Sequence, residues 1–250
     1  EQDYCIDCAM VLSDDNYYAV TNYGLYTKLN FSCFNNQTLT QQSVFAEAEH
    51  GMDPMSLDSI QNDFLKISAS WNYKLQYNEK GKTISIRVFA GKFIYNNTLS
   101  ARYNWRMDGQ HGFHDYTYNT VFPTRFESDK VFSHQFIENH GAIKTQTALG
   151  QSIDWMASVN LKADLPIPVL KFFADFGLSK NPSNDLTTVY DAGLYFTFFK
   201  GFSDVYIPML ISKNIADEYS ANDYNFAHRI RFTFNLQSLS PAQLVKKIPF

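Results

Sequence analysis

Strict alternation of apolar and polar residues runs along several segments of this chain. It is clearest between residues 65 and 77, where Leu65, Ile67 and Trp71 alternate with Lys66 and Lys74. Successive side chains of a β-strand point to opposite faces of its sheet, so this period of two predicts strands. The same pattern recurs at 23–32, 155–165, 170–178, 189–198 and 226–236. The chain is therefore predicted to be all-β.

The connections between these segments alternate in length. Tight turns are expected at 35–39, 78–82, 166–168 and 200–202, and longer polar loops at 49–59, 122–150, 179–187 and 213–224. This pattern is typical of an antiparallel up-and-down transmembrane β-barrel with short periplasmic turns and long extracellular loops, here with about 12 strands. Four weaker segments complete that count, at 4–12, 40–48, 101–108 and 114–122. Pro208 lies inside one strand and predicts a β-bulge or a wrongly drawn strand there.

The alternation fits either of two orientations of the faces. Alternate residues of each strand form an apolar set and a polar set, which we call the apolar parity and the polar parity. A soluble sandwich or lipocalin-like barrel would turn the apolar parity inward, whereas a membrane barrel turns it toward lipid. The polar parity is rich in Ser, Asn, Thr and Gly with scattered charges, which favours a hydrated or plugged interior. The residues predicted to face lipid are Leu65, Ile67, Trp71, Tyr73, Trp155, Val159, Leu161, Phe172, Phe176, Leu194, Phe196, Ile230, Phe232 and Phe234. Those predicted to line the lumen are Lys66, Lys74, Asn160, Lys162, Asp164, Lys171, Asp175, Asp191, Arg229 and Arg231.

Composition strengthens the membrane interpretation. Charged residues make up 18% of the chain, below the roughly 25% of soluble domains, and there are 22 Phe and 16 Tyr. No uncharged apolar run is long enough for a transmembrane helix. A net charge of −4 without a basic stripe argues against nucleic acid as a partner. Glu1 is not followed by a secretory leader, which predicts a mature chain or a fragment of a longer one.

Metal sites and cofactors are not expected from the sequence. The three cysteines are Cys5, Cys8 and Cys33, and one C-x-x-C pair lacks the further ligands that a zinc site needs. A disulfide within this group stays open, although thiols that are buried or idle are favoured. The Asp- and Asn-rich segments 180–186 and 214–224 could bridge cations, but without calcium-loop spacing they are expected to be solvated loop tips.

Four of the six histidines fall between residues 111 and 140, close to several carboxylates. Histidines and carboxylates gathered at an external rim could form a general acid/base pair or hold a metal. The weak catalytic candidates are His111, His114, Asp115, His134, Glu138 and His140. On a strand, His111 and His114 would face opposite ways and could not share one ion. Histidines of a surface lid or an inward-folded plug are therefore the favoured interpretation.

Two stretches carry a family resemblance. They are 138–177 and 226–241, with Gly141, the run 149–152, Trp155 and the strands at 160–162, 173–175 and 229–232 as matching features. They resemble the C-terminal β-barrel region of large Bacteroidota outer-membrane proteins that carry a gluzincin peptidase-like domain upstream. The peptidase chemistry of that family needs an H-E-x-x-H helix, which this sequence lacks. The resemblance therefore implies the membrane part of a longer protein and no gluzincin catalytic residue here.

These patterns lead to one predicted function and two alternatives. We expect residues 1–236 to form an outer-membrane β-barrel and residues 237–250 a periplasmic tail. The barrel would serve as the membrane anchor and the partner-binding module of a larger peptidase-like protein or assembly. This protein would lie in the outer membrane of a Gram-negative, Bacteroidota-like bacterium. The partners of the barrel would be outer-membrane lipid, lipopolysaccharide, and other envelope proteins or an upstream domain. The alternatives are a porin-like channel for small solutes and a hydrolase with a site at the extracellular rim.

Overall fold

The chain folds into one ten-stranded antiparallel sheet in which every strand pairs with its neighbours in sequence. The computed structural model describes residues 5–18, 23–53, 62–78, 81–97, 101–116, 120–125, 131–167, 169–180, 185–198 and 202–234. The strands are β1 (Cys5–Tyr18), β2 (Tyr23–Asn36), β3 (Thr40–Asp53), β4 (Asn62–Gln76), β5 (Thr83–Asn96), β6 (Trp155–Asp164), β7 (Leu170–Lys180), β8 (Leu186–Phe198), β9 (Ser203–Ile211) and β10 (Arg231–Phe234). The all-β, up-and-down prediction is confirmed.

The connections at one end of the sheet are short, as the sequence predicts. They join β2 to β3, β4 to β5, β6 to β7 and β8 to β9. At the other end, the loops expected at 49–59 and 179–187 are shorter than predicted, because β3 runs to Asp53 and only residues 181–185 separate β7 from β8. At the same end, 58 residues of the chain, 97–154, separate β5 from β6, and helix α1 (Lys213–Ala221) separates β9 from β10. We call 97–154 the insert. No helix among the described residues has the length and apolarity to cross a membrane.

Several predicted strands are wrong. The segments 101–108 and 114–122 belong to the insert, where the structure shows short 3₁₀ turns and isolated bridges. The loop expected at 213–224 is mostly α1, which buries Ile215 and Tyr219 against the insert. The strand expected at 226–236 begins only at Arg231, because Phe226–Arg229 form a 3₁₀ turn capped by Asn225. Ten strands, not twelve, are therefore seen in the described residues.

The insert packs against one face of the sheet, which we call the inner face. Trp105 and Met107 are buried there together with Phe64, Phe93 and Met156 from β4, β5 and β6. Two strand glycines make room for the insert: a Cβ at Gly91 would lie 2.9 Å from the Trp105 ring, and one at Gly177 would overlap the Met107 side chain. Residues of the insert contact strands from β3 to β10, so the sheet curves around the insert.

Pro208 lies at a β-bulge in β9. Gly193 of β8 pairs with Pro208, whereas Ala192 pairs with Leu210, so Met209 is an extra residue in the ladder. A Cβ at Gly193 would overlap the Ile207 carbonyl oxygen, so this close approach of β9 requires glycine. The bulge explains how a strand tolerates proline at this position.

Cys33 is disulfide-bonded, so the favoured expectation of idle thiols is wrong for this residue. In the register of β1 and β2, the residue directly opposite Cys33 is Cys8. Disulfides persist in oxidising compartments such as the bacterial periplasm and cell surface.

The described strand pairings do not join β1 to β10, so barrel closure is not shown. One edge of β10 pairs with β9, since Phe232 lies opposite Val205. The other edge contacts the insert: Gln135 forms a parallel bridge with Phe232, and Phe136 N donates to Phe232 O at 3.0 Å. The insert therefore covers the free edge of the last strand.

Candidate functional site

The outer face of the sheet exposes apolar side chains. Four of the residues predicted to face lipid are exposed, Ile67 at 43%, Trp71 at 39%, Val159 at 43% and Phe176 at 44%. The other ten are half-buried, and none of the fourteen is buried. These ten are Leu65, Tyr73, Trp155, Leu161, Phe172, Leu194, Phe196, Ile230, Phe232 and Phe234. The apolar parity of the strands thus points away from the insert.

The inner face carries most of the residues predicted to line the lumen. Lys66, Asn160, Asp175, Asp191 and Arg231 are buried. Lys162, Asp164 and Lys171 are half-buried, with Lys171 and Asp164 paired at 3.1 Å, and Lys74 is exposed. Arg229 lies in the 3₁₀ turn before β10 and stacks on Tyr219 and Phe226, so its assignment to a strand is wrong.

Two facing aspartates on the inner face hold the insert. Lys144 of the insert lies 3.2 Å from Asp175 Oδ2 and also donates to the Ala142 carbonyl. Next to it, Thr145 donates to Asp191 Oδ2 from its backbone N–H at 2.6 Å and from its hydroxyl at 2.8 Å. All four residues are buried. Because a buried charge without partners is costly, these contacts fix the insert in one position.

A second polar cluster lies on the inner face around Glu138 of the insert. Its carboxylate accepts hydrogen bonds from Lys162 and from the Tyr206 hydroxyl, and Lys144 Nζ lies 3.7 Å away. These cations hold the pKa of Glu138 well below its usual range despite its burial. Arg87 lies beside this cluster and donates to Asn160 Oδ1 and to the His140 carbonyl, both at 2.9 Å.

A third cluster surrounds Glu49 of β3. Its carboxylate lies 3.3 Å from Lys28 Nζ and 3.3 Å from Lys66 Nζ, and it accepts a hydrogen bond from Tyr116 of the insert. Lys66 also donates to the Tyr116 hydroxyl at 2.6 Å. Both Glu49 and Lys66 are buried. Every partner of this buried carboxylate is a donor, so its charge is fully compensated.

Two cavities lie between the insert and the inner face of β2 to β5. The larger has a volume of about 620 Å³ and includes Lys28, Glu49, Ser68, Arg106 and His114 in its lining. The smaller, of about 370 Å³, lies nearer the short turns and is lined by amide and hydroxyl side chains together with Lys74 and Lys162. Most of the residues that line each cavity have polar side chains, and both linings include Arg87. The insert thus leaves a polar volume along one part of the sheet.

Four of the six catalytic candidates lie in separate contacts. His134 Nδ1 lies 2.6 Å from the Ile230 carbonyl, and Asp115 pairs with Arg125 at 3.0 Å. Glu138 belongs to the cluster described above, and the His140 ring packs against Trp105. The described residues contain no group of three or more His, Cys, Asp or Glu side chains arranged to hold a metal ion.

His111 and His114 contact each other directly, against the expectation that they face opposite ways. His111 precedes the 3₁₀ turn Gly112–His114 and His114 ends it, and residues three apart in such a turn lie on the same side. His114 Nδ1 lies 2.9 Å from His111 Nε2. Burial and the nearby Arg106 lower the pKa of each histidine to about 2, so both are neutral and one ring donates to the other.

Sequence reasoning missed several residues that build this site. Arg87 was detectable, because Thr83, Ser85 and Arg87 are successive polar residues at alternate positions of β5 and therefore share one face. Lys144 and Thr145 gave no periodic signal, since they lie in an irregular segment and meet their partners only through the packing of the insert.

Comparison with known proteins adds no relative. No family model matches the chain, no curated protein matches it, and no solved structure matches it.

Proposed function

We propose that this chain is a transmembrane β-barrel of the outer-membrane type, whose insert fills part of the lumen, and that it serves as a membrane anchor. The observation that carries the proposal is the distribution of side chains over the two faces. The outer face exposes Ile67, Trp71, Val159 and Phe176, while buried Lys66, Asp175 and Asp191 lie on the inner face. In water this arrangement would expose apolar surface and bury charge, whereas in a bilayer both faces are in favourable surroundings.

The strand geometry supports the same proposal. β2 to β5 are 14 or 15 residues long, which exceeds the roughly 9–11 residues that a tilted strand needs to span the hydrocarbon. Lipid contains no hydrogen-bonding groups, so a sheet that spans it must have no unpaired edge. The insert already pairs with part of the β10 edge at Gln135 and Phe136. We infer that the sheet closes in the membrane by pairing of its two edge strands, β1 and β10, which run in opposite directions.

We also propose that this chain binds partner proteins of the cell envelope. The resemblance of 138–177 and 226–241 to the barrel region of gluzincin peptidase-like proteins suggests a binding module for a larger envelope protein. Helix α1 lies at the end of the sheet opposite the short turns and exposes Lys213, Asn214 and Asp217 for such contacts. We propose an outer-membrane location in a Bacteroidota-like bacterium on the same basis.

The purified chain in detergent and in lipid vesicles tests the membrane proposal. A folded barrel is expected to migrate faster on a denaturing gel before heating than after heating. Trp71 and Trp155, on the outer parity, are expected to be quenched by lipids brominated along the acyl chain. Trp105, buried beside the insert, is the internal control and should not be quenched. Equal quenching of single-Trp variants at positions 71 and 105 would contradict the proposal.

A further inference from the structure

The two polar cavities lie end to end along the inner face. On β2, Lys28, Asn30 and Ser32 line the larger cavity, and the next inward positions, Phe34 and Asn36, line the smaller. β4 repeats this order, with Ser68 and Ser70 followed by Asn72 and Lys74. The row from Lys28 to Asn36 covers nine residues of β2. That number is within the roughly 9–11 residues that a tilted strand needs to cross the hydrocarbon core.

Arg87 stands where the two cavities meet, since it lines both. Its guanidinium Nη1 donates to Asn160 and to the His140 carbonyl, which fixes the side chain across the inner face. Asn160 is held in turn by Asp175 at 3.0 Å and by the Gly141 carbonyl at 3.0 Å. The position of Arg87 is therefore set by both the sheet and the insert.

The charges along this passage leave a positive excess. Its lining includes five basic side chains, Lys28, Lys74, Arg87, Arg106 and Lys162, and three acidic ones, Glu47, Glu49 and Glu138. Each acidic side chain has a lysine partner: Lys28 for Glu47 and Glu49, and Lys162 for Glu138. Within the described residues, neither Arg87 nor Lys74 forms an ion pair. The positive charges without a close ion pair thus lie at the middle, where Glu138 and Asp175 act on Arg87 from a greater distance, and at the short-turn end.

From this placement we propose that the passage between the insert and β2 to β5 conducts small anions, with Arg87 as the residue that binds them where the two cavities meet. The proposal rests on the proposed membrane barrel and goes beyond the anchoring role. Cations are disfavoured because the carboxylates are already engaged by lysines. The Asn, Gln, Ser and Tyr side chains of the lining replace part of the hydration shell of a small anion such as chloride or a short carboxylate.

A planar bilayer with a potassium chloride gradient tests the selectivity. The full chain is expected to give a small conductance with a reversal potential that shows preference for chloride. Arg87→Gln removes the central charge and should lower the chloride-to-potassium permeability ratio by roughly three- to tenfold. The matched control is Lys92→Gln, on the same strand but exposed on the outer face, and its ratio should not change.

A steric variant tests the path itself. Ser70→Trp places a large ring in the larger cavity and should reduce the conductance by at least about half, whereas Ala69→Trp adds the same ring on the outer face and should leave it unchanged. Chains that insert with heat-modifiable migration yet show no conductance, or no response to Arg87→Gln and Ser70→Trp, would overturn the passage while leaving the anchor intact. Chains that never insert would overturn both proposals.

Discussion

Asp175 and Asp191 stand directly opposite each other on β7 and β8, and both are buried at the surface where the sheet meets the insert. Two carboxylates placed side by side repel each other unless cations or donors separate them. Lys144 supplies the cation and Thr145 supplies two donors. The docking of the insert is thus encoded by a pair of acidic residues that the sheet alone could not stabilise.

Asp175→Asn is expected to loosen the insert. The substitution keeps the shape of the side chain but removes the carboxylate 3.2 Å from the buried Lys144 ammonium, which retains Glu138 at 3.7 Å. Removing one partner of a buried pair costs about 3–5 kcal/mol when the other charge is left without a partner, so the cost here should be smaller. Limited proteolysis of the folded protein, with cleavage sites mapped by mass spectrometry, should show faster cutting inside 97–154.

The controls separate docking from a general loss of stability. Asp217→Asn removes a carboxylate on the exposed side of α1 and should leave the cleavage rate unchanged. The double variant Asp175→Leu with Lys144→Met replaces the pair by apolar groups and should restore much of the protection. Equal cleavage of wild type and Asp175→Asn would show that the pair does not hold the insert.

Gly177→Ala is expected to displace Met107 from its place on the sheet. A Cβ at this position overlaps the Met107 sulfur and would lie 2.8 Å from its Cε. Overpacking of this kind costs about 1–3 kcal/mol, which urea titration of the folded protein would measure. Met107→Ala in the same chain removes the overlap, so the double variant should be more stable than the sum of the two single effects predicts. Additive effects would mean that the two side chains do not meet.

Acidification is expected to destabilise the turn that holds His111 and His114. Burial, together with Arg106, lowers the pKa of each ring to about 2, against an ordinary value of 6.5. The unfolded segment therefore takes up protons as the pH falls below 6.5, while the folded segment does not until much lower pH. The stability contributed by these neutral rings is present above about pH 6.5 and declines below it.

Hydrogen exchange can follow this turn directly. The amide of His114, bonded to the His111 carbonyl at 2.9 Å, should exchange faster relative to its intrinsic rate at pH 5 than at pH 7.5. The variant with both His111→Gln and His114→Gln cannot take up these protons and should lose the difference. Arg231 lies near His111, and Asp108 lies near His114. A pH effect that survives in the double variant would assign it to other groups.

Periodicity was sufficient to predict most strands and the short turns because outward-facing and inward-facing positions alternate along a strand. It failed at 101–108, where Tyr103, Trp105 and Met107 alternate with polar residues that are buried as well. That segment is enclosed by the curved sheet and has no strand beside it among the described residues. The alternation there reflects side chains that are buried on both sides of the segment, not the two faces of a sheet. The contact of this segment with Ser152 is an isolated bridge.

The candidate site was predictable only in part. Lys66, Asp175 and Asp191 follow from the polar parity of their strands, because the inward direction of a strand residue is fixed by its neighbours. The partners of these residues, Tyr116 and Lys144, depend on how an irregular segment folds onto the sheet. The contact between His111 and His114 was missed for the same reason, since a 3₁₀ turn reverses the conclusion drawn for a strand.

Val159→Arg is expected to destabilise the protein in lipid. Val159 is exposed on the outer face between Val88 of β5 and Phe176 of β7, which are exposed as well. An arginine near the middle of the bilayer costs about 2–4 kcal/mol in a transmembrane barrel, but little near the interface. Leu186→Arg, at the exposed start of β8, is the matched control and should cost no more than about 1 kcal/mol. Reversible denaturant titration in lipid vesicles measures both values. Because both positions are exposed, a soluble sheet would tolerate the two substitutions equally, so equal costs would contradict the transmembrane assignment.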